Sequence, residues 1–155
     1  MVIGILAGIS IVAYSGVTTQ ARGTALADSI KKVEQAFYLK AQSEGRTTWW
    51  PENELVGTAN PSIASIISGT DLNQYLISVP TISGLSSLYW FYDNDGDSYG
   101  SCNSSAVGVN IILYNVPNDV AQVVDTKLDD GNLGCGNVRV TTELLYGLSS
   151  NGDIQ

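Results

Sequence analysis

The 155 residues suffice for one domain of roughly 110 residues beside an N-terminal helix, and the net charge at pH 7 is −8. The charge is unevenly divided: residues 1–46 carry five Lys or Arg against three Asp or Glu, whereas residues 47–155 carry two against twelve. Phosphate binding needs clustered Lys and Arg, so this acidic balance argues against nucleic acid as a partner.

The first 44 residues have the pattern of one continuous helix. Met1–Tyr14 contains Ser10 as its only polar side chain and no charge, which is typical of a helix in lipid or in the middle of an assembly. From Thr18 onward a single apolar stripe recurs at helical spacing, formed by Leu26, Ile30, Val33 and Phe37. Gly45 follows the last turn, where a left-handed cap is expected. The charged residues between these positions are expected on the solvent side: Arg22, Asp28, Lys31, Lys32, Glu34 and Lys40.

The rest of the chain predicts short helices and an antiparallel sheet. Asn60 and Pro61 predict the start of a helix over Pro61–Ser68, with Ile63, Ile66 and Ile67 buried. Asp71 is expected to cap a short turn that runs to Leu76. The predicted later elements are strands at Leu88–Tyr92, Ser98–Cys102 and Ala106–Tyr114, a helix at Asn118–Leu128 ended by Asp129-Asp130-Gly131, and closing strands at Val138–Thr142 and Leu144–Leu148.

The run VIGILAGISIVAY, followed by an amphipathic helix in phase with it, resembles the N-terminal spine of type IV pilins and pseudopilins. The resemblance covers roughly residues 2–40 closely and the remainder only as a general plan. It implies an α+β fold in which a long N-terminal spine helix packs against an antiparallel β-sheet head. The implied division is a spine at residues 1–45, hydrophobic over 1–17 and amphipathic over 18–45, and a head at residues 46–155.

The resemblance also implies a function and partners. The chain is expected to be a structural subunit of an extracellular filament, with roles in adhesion or motility, that is inserted in the membrane before assembly. Identical subunits and an inner-membrane assembly machinery would be its partners. A type II secretion pseudopilin is the near alternative. The side chains expected to pack in the filament core are Ile3, Ile5, Leu6, Ile9, Ile11 and Val12.

The start of the chain departs from the family pattern. Only three residues precede Gly4, and the cleavage motif and the family's Glu that contacts a neighbouring subunit are missing. The apolar run has 14 residues and would span about 21 Å as a helix. A helix that crosses a bilayer needs ~20 residues, so this run is too short. We therefore expect that the sequence lacks its natural start.

Two cysteines, Cys102 and Cys135, predict a disulfide and an oxidising compartment outside the cytoplasm. There is no CxxC motif and no His, so a zinc site is not expected. In the chain-entropy model, a disulfide that closes this loop would stabilise the folded state by on the order of 3–4 kcal/mol. The alternative is a pair of buried free thiols.

The acidic turn DNDGDSYG holds the predicted ligand chemistry. Alternating Asp93, Asp95 and Asp97, followed by the Tyr99 carbonyl, match the way many calcium loops begin, so Ca²⁺ is the one cofactor considered and none is required. Against calcium, Gly96 falls two positions too early for an EF-hand and Ser104 is no bidentate Glu. The alternative is an ordinary hairpin turn.

Trp49 and Trp50 leave two interpretations open. The favoured one is that both indoles cover the end of the core. The other is a surface platform which, with the acidic turn, would make the chain a membrane-anchored, calcium-dependent binding module. No enzyme is expected, because the chain has no His for a triad and no phosphate-binding glycine motif.

Overall fold

The computed structural model describes residues 2–51, 60–94 and 108–148, and in the first helix it describes side chains from Tyr14 onward. These described residues form three α-helices, a short 3₁₀ turn and four strands. Their bounds are α1 Val2–Ser43, α2 Ile63–Gly69, the 3₁₀ turn Asp71–Gln74, β1 Tyr89–Asp93, β2 Asn110–Tyr114, α3 Asn118–Leu128, β3 Val138–Val140 and β4 Leu144–Gly147.

Helix α1 ends as the sequence predicts. Gly45 has a φ of +71°, which a residue without a Cβ adopts at little cost. Its N–H donates to the Gln42 carbonyl at 3.0 Å, and the Arg46 N–H donates to the Ala41 carbonyl at 2.9 Å. These two bonds form a Schellman motif, which satisfies carbonyls left open at the helix end.

The four strands form one antiparallel sheet in the order β1-β2-β4-β3. In the central strand β2, Ile111 lies between Tyr92 and Tyr146, and Leu113 lies between Trp90 and Leu144. Alternate residues of a strand point to the same face, so these side chains form one apolar face. The long N-terminal helix packs on this face, which gives the α+β class predicted from the sequence.

The apolar stripe of α1 is the centre of the core. Leu26, Ile30, Val33 and Phe37 are fully buried, as predicted. The Phe37 ring stacks on Tyr92 of β1 at 5.4 Å between centroids. These side chains bury apolar surface between α1 and the sheet, and such burial is the main favourable contribution to folding.

Helix α3 lies beside α1 and runs in the same direction. The Thr19 hydroxyl donates to Asp119 at 2.9 Å, and the Lys127 ammonium donates to Asp28 at 2.9 Å. Between these contacts, a Cβ added to Gly23 would lie only 2.4 Å from the Cβ of Val123. Gly23 therefore permits a close approach of the two helices.

Tyr146 of β4 joins the sheet to the polar side of α1. The Lys31 ammonium donates to the Tyr146 hydroxyl at 2.5 Å and to Glu34 at 2.8 Å. The Tyr146 hydroxyl in turn donates to Glu34 at 3.2 Å. Burial raises the pKa of Tyr146, so the phenol stays protonated at neutral pH and keeps its proton for Glu34.

The sequence-based prediction for Lys40 is wrong. Its side chain was expected on the solvent side, but the residue is 8% exposed. The ammonium pairs with Glu44 at 2.6 Å and Asp71 at 3.6 Å, and it lies 5.6 Å from the Trp49 ring centroid. Because a Lys has a long aliphatic stem, it covers apolar surface while its charge reaches carboxylates at the edge.

Both predicted helix caps in the region after residue 60 are wrong by one or two residues. Ser62, rather than Asn60, caps α2 by accepting the Ser65 N–H at 3.1 Å. The Pro61 carbonyl instead accepts the Tyr92 N–H at 2.9 Å, which holds this segment in extended form against β1. Thr70, rather than Asp71, caps the 3₁₀ turn by accepting the Leu72 N–H at 3.2 Å. The buried set Ile63, Ile66 and Ile67 is confirmed.

The other predicted elements differ from the structure mainly at their ends. Helix α3 has the predicted bounds. The strand expected at Leu88–Tyr92 lies one residue later, and the one expected at Ala106–Tyr114 begins at Asn110 in the described part. Both closing strands are present in shorter form. The predicted strand Ser98–Cys102 lies outside the described residues.

Candidate functional site

The part of α1 that precedes the core leaves apolar side chains uncovered. Tyr14 is 73% exposed and Val17 is 67% exposed. A Cβ added to Gly16 would meet no atom of the described residues within 4 Å. Among the described side chains of α1, which begin at Tyr14, the first buried position is Gly23, so the described head packs mainly on the later part of this helix.

Just after these exposed residues, α1 has small side chains between two shallow grooves. One groove, of about 410 Å³, is lined by Tyr14, Thr18, Ala21, Arg22, Ala25, Ile82 and Ser83. The other, of about 550 Å³, is lined by Val17, Gln20, Ala21, Thr24, Ala25 and Asp28. Ala21 and Ala25 border both grooves. Small residues at this spacing allow a second helix to approach the backbone closely.

The six side chains predicted to pack in a filament core cannot be compared with the structure directly. Ile3, Ile5, Leu6, Ile9, Ile11 and Val12 belong to α1, but their side chains lie outside the described part. In the part of the chain that is described, no helix combines the length and the apolar character needed to cross a membrane.

The predicted calcium turn is described at only one of its four ligands. Asp93 is the last residue of β1, fully buried and opposite Asn110 of β2. Strand alternation places it on the sheet face opposite Tyr92, away from α1. Asp95, Asp97 and Tyr99 lie outside the described residues. The calcium loop at this turn stays a prediction.

The two tryptophans belong to the core. Trp49 is 9% exposed and Trp50 is 7% exposed, and their rings lie 5.7 Å and 6.0 Å from the Phe37 ring. The favoured interpretation is therefore confirmed. Neither indole presents a face for a surface ligand.

Cys135 is disulfide-bonded. It lies in the loop between α3 and β3, and Cys102, its predicted partner, lies outside the described residues. A covalent link at this point anchors the loop that follows Asp129 and Asp130, two of the three acidic residues described next.

The structure brings together three carboxylates that the sequence interpretation did not single out as ligands. Asp125, Asp129 and Asp130 have oxygen atoms that all lie within 4.8 Å of one another. Asp125 is fully buried, and within the described part of the chain neither of its carboxylate oxygens has a hydrogen bond of good geometry. A signal was present, because residues four apart share one face of a helix, so Asp125 meets Asp129 at the end of α3.

The loop after α3 folds around the carboxylate of Asp129. One oxygen of Asp129 accepts the N–H of Asn137 and, at 3.0 Å, the N–H of Val138. Gly136 has a φ of +91°, and a Cβ there would overlap the Asp129 carboxylate. Asp130 accepts the Asn132 N–H at 2.8 Å. Two of the three carboxylates are thus held by well-formed backbone hydrogen bonds, whereas among the described residues Asp125 has only a weak contact with the Gly131 backbone.

The electrostatics of this cluster are unfavourable. Burial raises the pKa of Asp125, and the negative charges of Asp129 and Asp130 raise it further, while the Gly131 backbone N–H opposes this rise in part. The C-terminal end of a helix also carries partial negative charge, which adds to the repulsion. Among the described residues, no ion pair involves these carboxylates, and Lys127 pairs with Asp28 instead.

The comparisons with known proteins assign no family. The resemblance to pilins rests on the N-terminal motif and on the helix that continues it. The chain matched no protein-family model, no curated protein and no solved structure.

Proposed function

We propose that this chain is a structural subunit of an extracellular filament of the type IV pilin kind, and that it polymerises through its N-terminal helix. The observation that carries the proposal is the exposure of Tyr14 and Val17 on a helix whose later part is the core of the head. One continuous helix of 42 residues thus has a packed part and an uncovered apolar part.

Burial of this uncovered surface favours association. Fully burying a Val side chain contributes roughly 1.5 kcal/mol or more, and an aromatic ring contributes more because of its larger area. In a filament, each subunit buries the same surface against its neighbours. The grooves beside Ala21 and Ala25 offer space for the side chains of a neighbouring helix.

The head supports this proposal as a rigid unit that displays the outer surface. The Thr19–Asp119 bond joins α1 to α3, and the Lys31–Tyr146 bond joins α1 to β4 of the sheet. A head fixed in this way transmits load from the helix to the sheet without a hinge among the described residues. Membrane insertion before assembly and an assembly machinery in the inner membrane are parts of the same proposal.

The test compares two single substitutions in the full chain, expressed with its assembly partners. Val17→Asp places a charge on the uncovered part of α1, where a filament contact would have to bury it. Ile77→Asp is the matched control, since Ile77 is an apolar residue of the head that is 90% exposed. We expect Val17→Asp to abolish filaments in sheared material and Ile77→Asp to leave their yield unchanged.

Two results would count against the proposal. Normal filament yield from Val17→Asp would show that this surface is not in the core. Equal loss of filaments with both variants would show that the assay reports surface charge in general. Near-ultraviolet circular dichroism of each purified variant checks that the head is folded in both.

The competing interpretations separate on other observations. The binding module would need Trp49 and Trp50 at the surface, and both are buried in the core. A secretion pseudopilin would share the helix contacts, so Val17→Asp does not distinguish it from a pilus subunit. Recovery of filaments by shearing whole cells does, because it requires them to extend from the cell surface.

A further inference from the structure

We propose that Asp125, Asp129 and Asp130 form a binding site for Ca²⁺ that joins the end of α3 to the loop leading into β3. Their oxygens lie within 4.8 Å of one another, close enough for one ion to contact all three carboxylates. This site shares no residue with the acidic turn at Asp93 or with the surface of α1 that the filament proposal uses.

The buried carboxylate of Asp125 is the observation that points to a ligand. A buried ionised group is costly unless it is paired or coordinates a metal. Asp125 is fully buried, neither of its oxygens has a hydrogen bond of good geometry among the described residues, and it faces two further carboxylates. Apart from a weak contact with the Gly131 backbone N–H, no group in the described part of the chain compensates its charge.

The other two carboxylates are held in place before any ion binds. Backbone N–H groups of Asn137 and Val138 hold one oxygen of Asp129, and the Asn132 N–H holds one oxygen of Asp130. A carboxylate has two oxygens and several lone pairs, so each of these residues keeps acceptor capacity for a cation. The site is therefore largely ordered in advance, which lowers the entropy cost of binding.

The chemistry of the donors selects the ion. Carboxylate oxygens are hard ligands that suit Ca²⁺ or Mg²⁺, and the chain has no His to favour zinc. Mg²⁺ requires near-ideal octahedral geometry, whereas Ca²⁺ accepts irregular sets of six to eight oxygens. One ligand here comes from a helix and two come from the segment after it, which favours Ca²⁺. Water would complete the coordination, as in weak extracellular calcium sites with dissociation constants of roughly 0.1–1 mM.

The expected consequence is a stabilised connection between α3 and β3. The loop after Asp129 runs through disulfide-bonded Cys135 to Val138, the first residue of β3. An ion that binds Asp125 together with Asp129 and Asp130 fastens this loop to the helix. Since a ligand that binds only the folded state stabilises it, Ca²⁺ at about ten times the dissociation constant should raise Tm by roughly 3–6 °C.

The experiment is thermal melting of the purified full chain in EDTA, in CaCl₂ and in MgCl₂. Asp125→Asn and Asp130→Asn remove ligands, and the second is an exposed position where the substitution leaves the core intact. Asp119→Asn is the matched control at the opposite end of α3. Asp95→Asn tests whether a response arises from the acidic turn instead.

We expect Ca²⁺ to raise Tm in the wild type, in Asp119→Asn and in Asp95→Asn, with a smaller effect of Mg²⁺. Asp125→Asn and Asp130→Asn should lose most of this shift. The proposal is overturned if the wild type shows no shift up to about 10 mM CaCl₂, well above the affinity of weak calcium sites. It is also overturned if the two ligand variants keep the full shift, or if Asp95→Asn alone abolishes it.

Discussion

Gly23 provides the sharpest test of how α1 and α3 pack. A Cβ at this position would lie 2.4 Å from the Cβ and 2.5 Å from the Cγ1 of Val123, and 3.1 Å from the Val120 carbonyl oxygen. The first two contacts are far below ordinary van der Waals distance, and the atoms belong to a helix that cannot move without breaking other contacts. Gly23→Ala must therefore push α3 away from α1.

Two opposing effects set the magnitude. Replacing Gly by Ala inside a helix favours the helix by about 1 kcal/mol. Overpacking a tight interface costs about 1–3 kcal/mol. Gly16→Ala has the first effect without the second, because a Cβ at Gly16 meets nothing within 4 Å. Gly23→Ala should thus be less stable than Gly16→Ala by about 1–3 kcal/mol.

Thermal and urea unfolding of the two variants measure this difference. For a chain of this size, each kcal/mol corresponds to about 2–4 °C in Tm. We expect Gly16→Ala to match or exceed the wild type and Gly23→Ala to fall below Gly16→Ala by several degrees. Equal Tm values for the two variants would refute the close approach of the helices at Gly23.

Further predictions concern buried hydroxyls and a helix cap. Tyr92→Phe should leave stability unchanged or raise it by about 1 kcal/mol, because no described residue forms a hydrogen bond with the buried Tyr92 hydroxyl. Tyr146→Phe should lose about 1 kcal/mol, because it removes the bonds to Lys31 and Glu34. Burial raises the pKa of Tyr92 above the ordinary 10.0 of tyrosine, so the folded state holds this proton more tightly than the unfolded state does. The free energy of unfolding should therefore fall as pH rises above about 10. Tyr92→Phe should reduce this fall when unfolding is measured as a function of pH. Ser62→Ala should cost about 1 kcal/mol in urea unfolding by removing the cap of α2, and a loss with Asn60→Ala but not with Ser62→Ala would contradict the cap assignment.

The two longer helices, α1 and α3, could be predicted from the sequence. The stripe from Leu26 to Phe37 keeps helical spacing over three turns, so burial on the sheet fixes both its secondary structure and its face. Gly45 marks the end of α1 because a left-handed cap strongly favours glycine. The α3 sequence has a clear start after Pro117 and a clear end before Gly131, and its bounds agree with the structure.

The local details were decided by tertiary contacts that no short window contains. Asn60 and Pro61 have the residues of a helix start, but the Pro61 carbonyl pairs with Tyr92 of β1, which delays α2 by two residues. Lys40 is polar, yet its position beside Trp49 and Asp71 buries it. Both differences arise from tertiary contacts: Tyr92 and Asp71 are each more than thirty residues from their partners in the chain, and Trp49 lies beyond the end of α1.

The candidate sites show the same division. An apolar early part of α1 could be predicted from the sequence, because the residues up to Tyr14 have no polar face. The acidic cluster could not, since Asp129-Asp130-Gly131 also has the composition of a plain helix end. Only the burial of Asp125, which depends on the packing of α3, distinguishes ligand residues from a solvated turn.

The central claim is that identical chains pack through the early part of α1 in a filament. Hydroxyl-radical footprinting of filaments sheared from cells, with mass spectrometry of the peptides, tests it most directly. Tyr14 and Tyr89 are both exposed in the isolated chain, on the helix and on the head respectively. The account predicts that the chain is found in filaments, with Tyr14 protected and Tyr89 modified. Filaments in which Tyr14 is modified as strongly as Tyr89, or a chain found only with membranes, would contradict it.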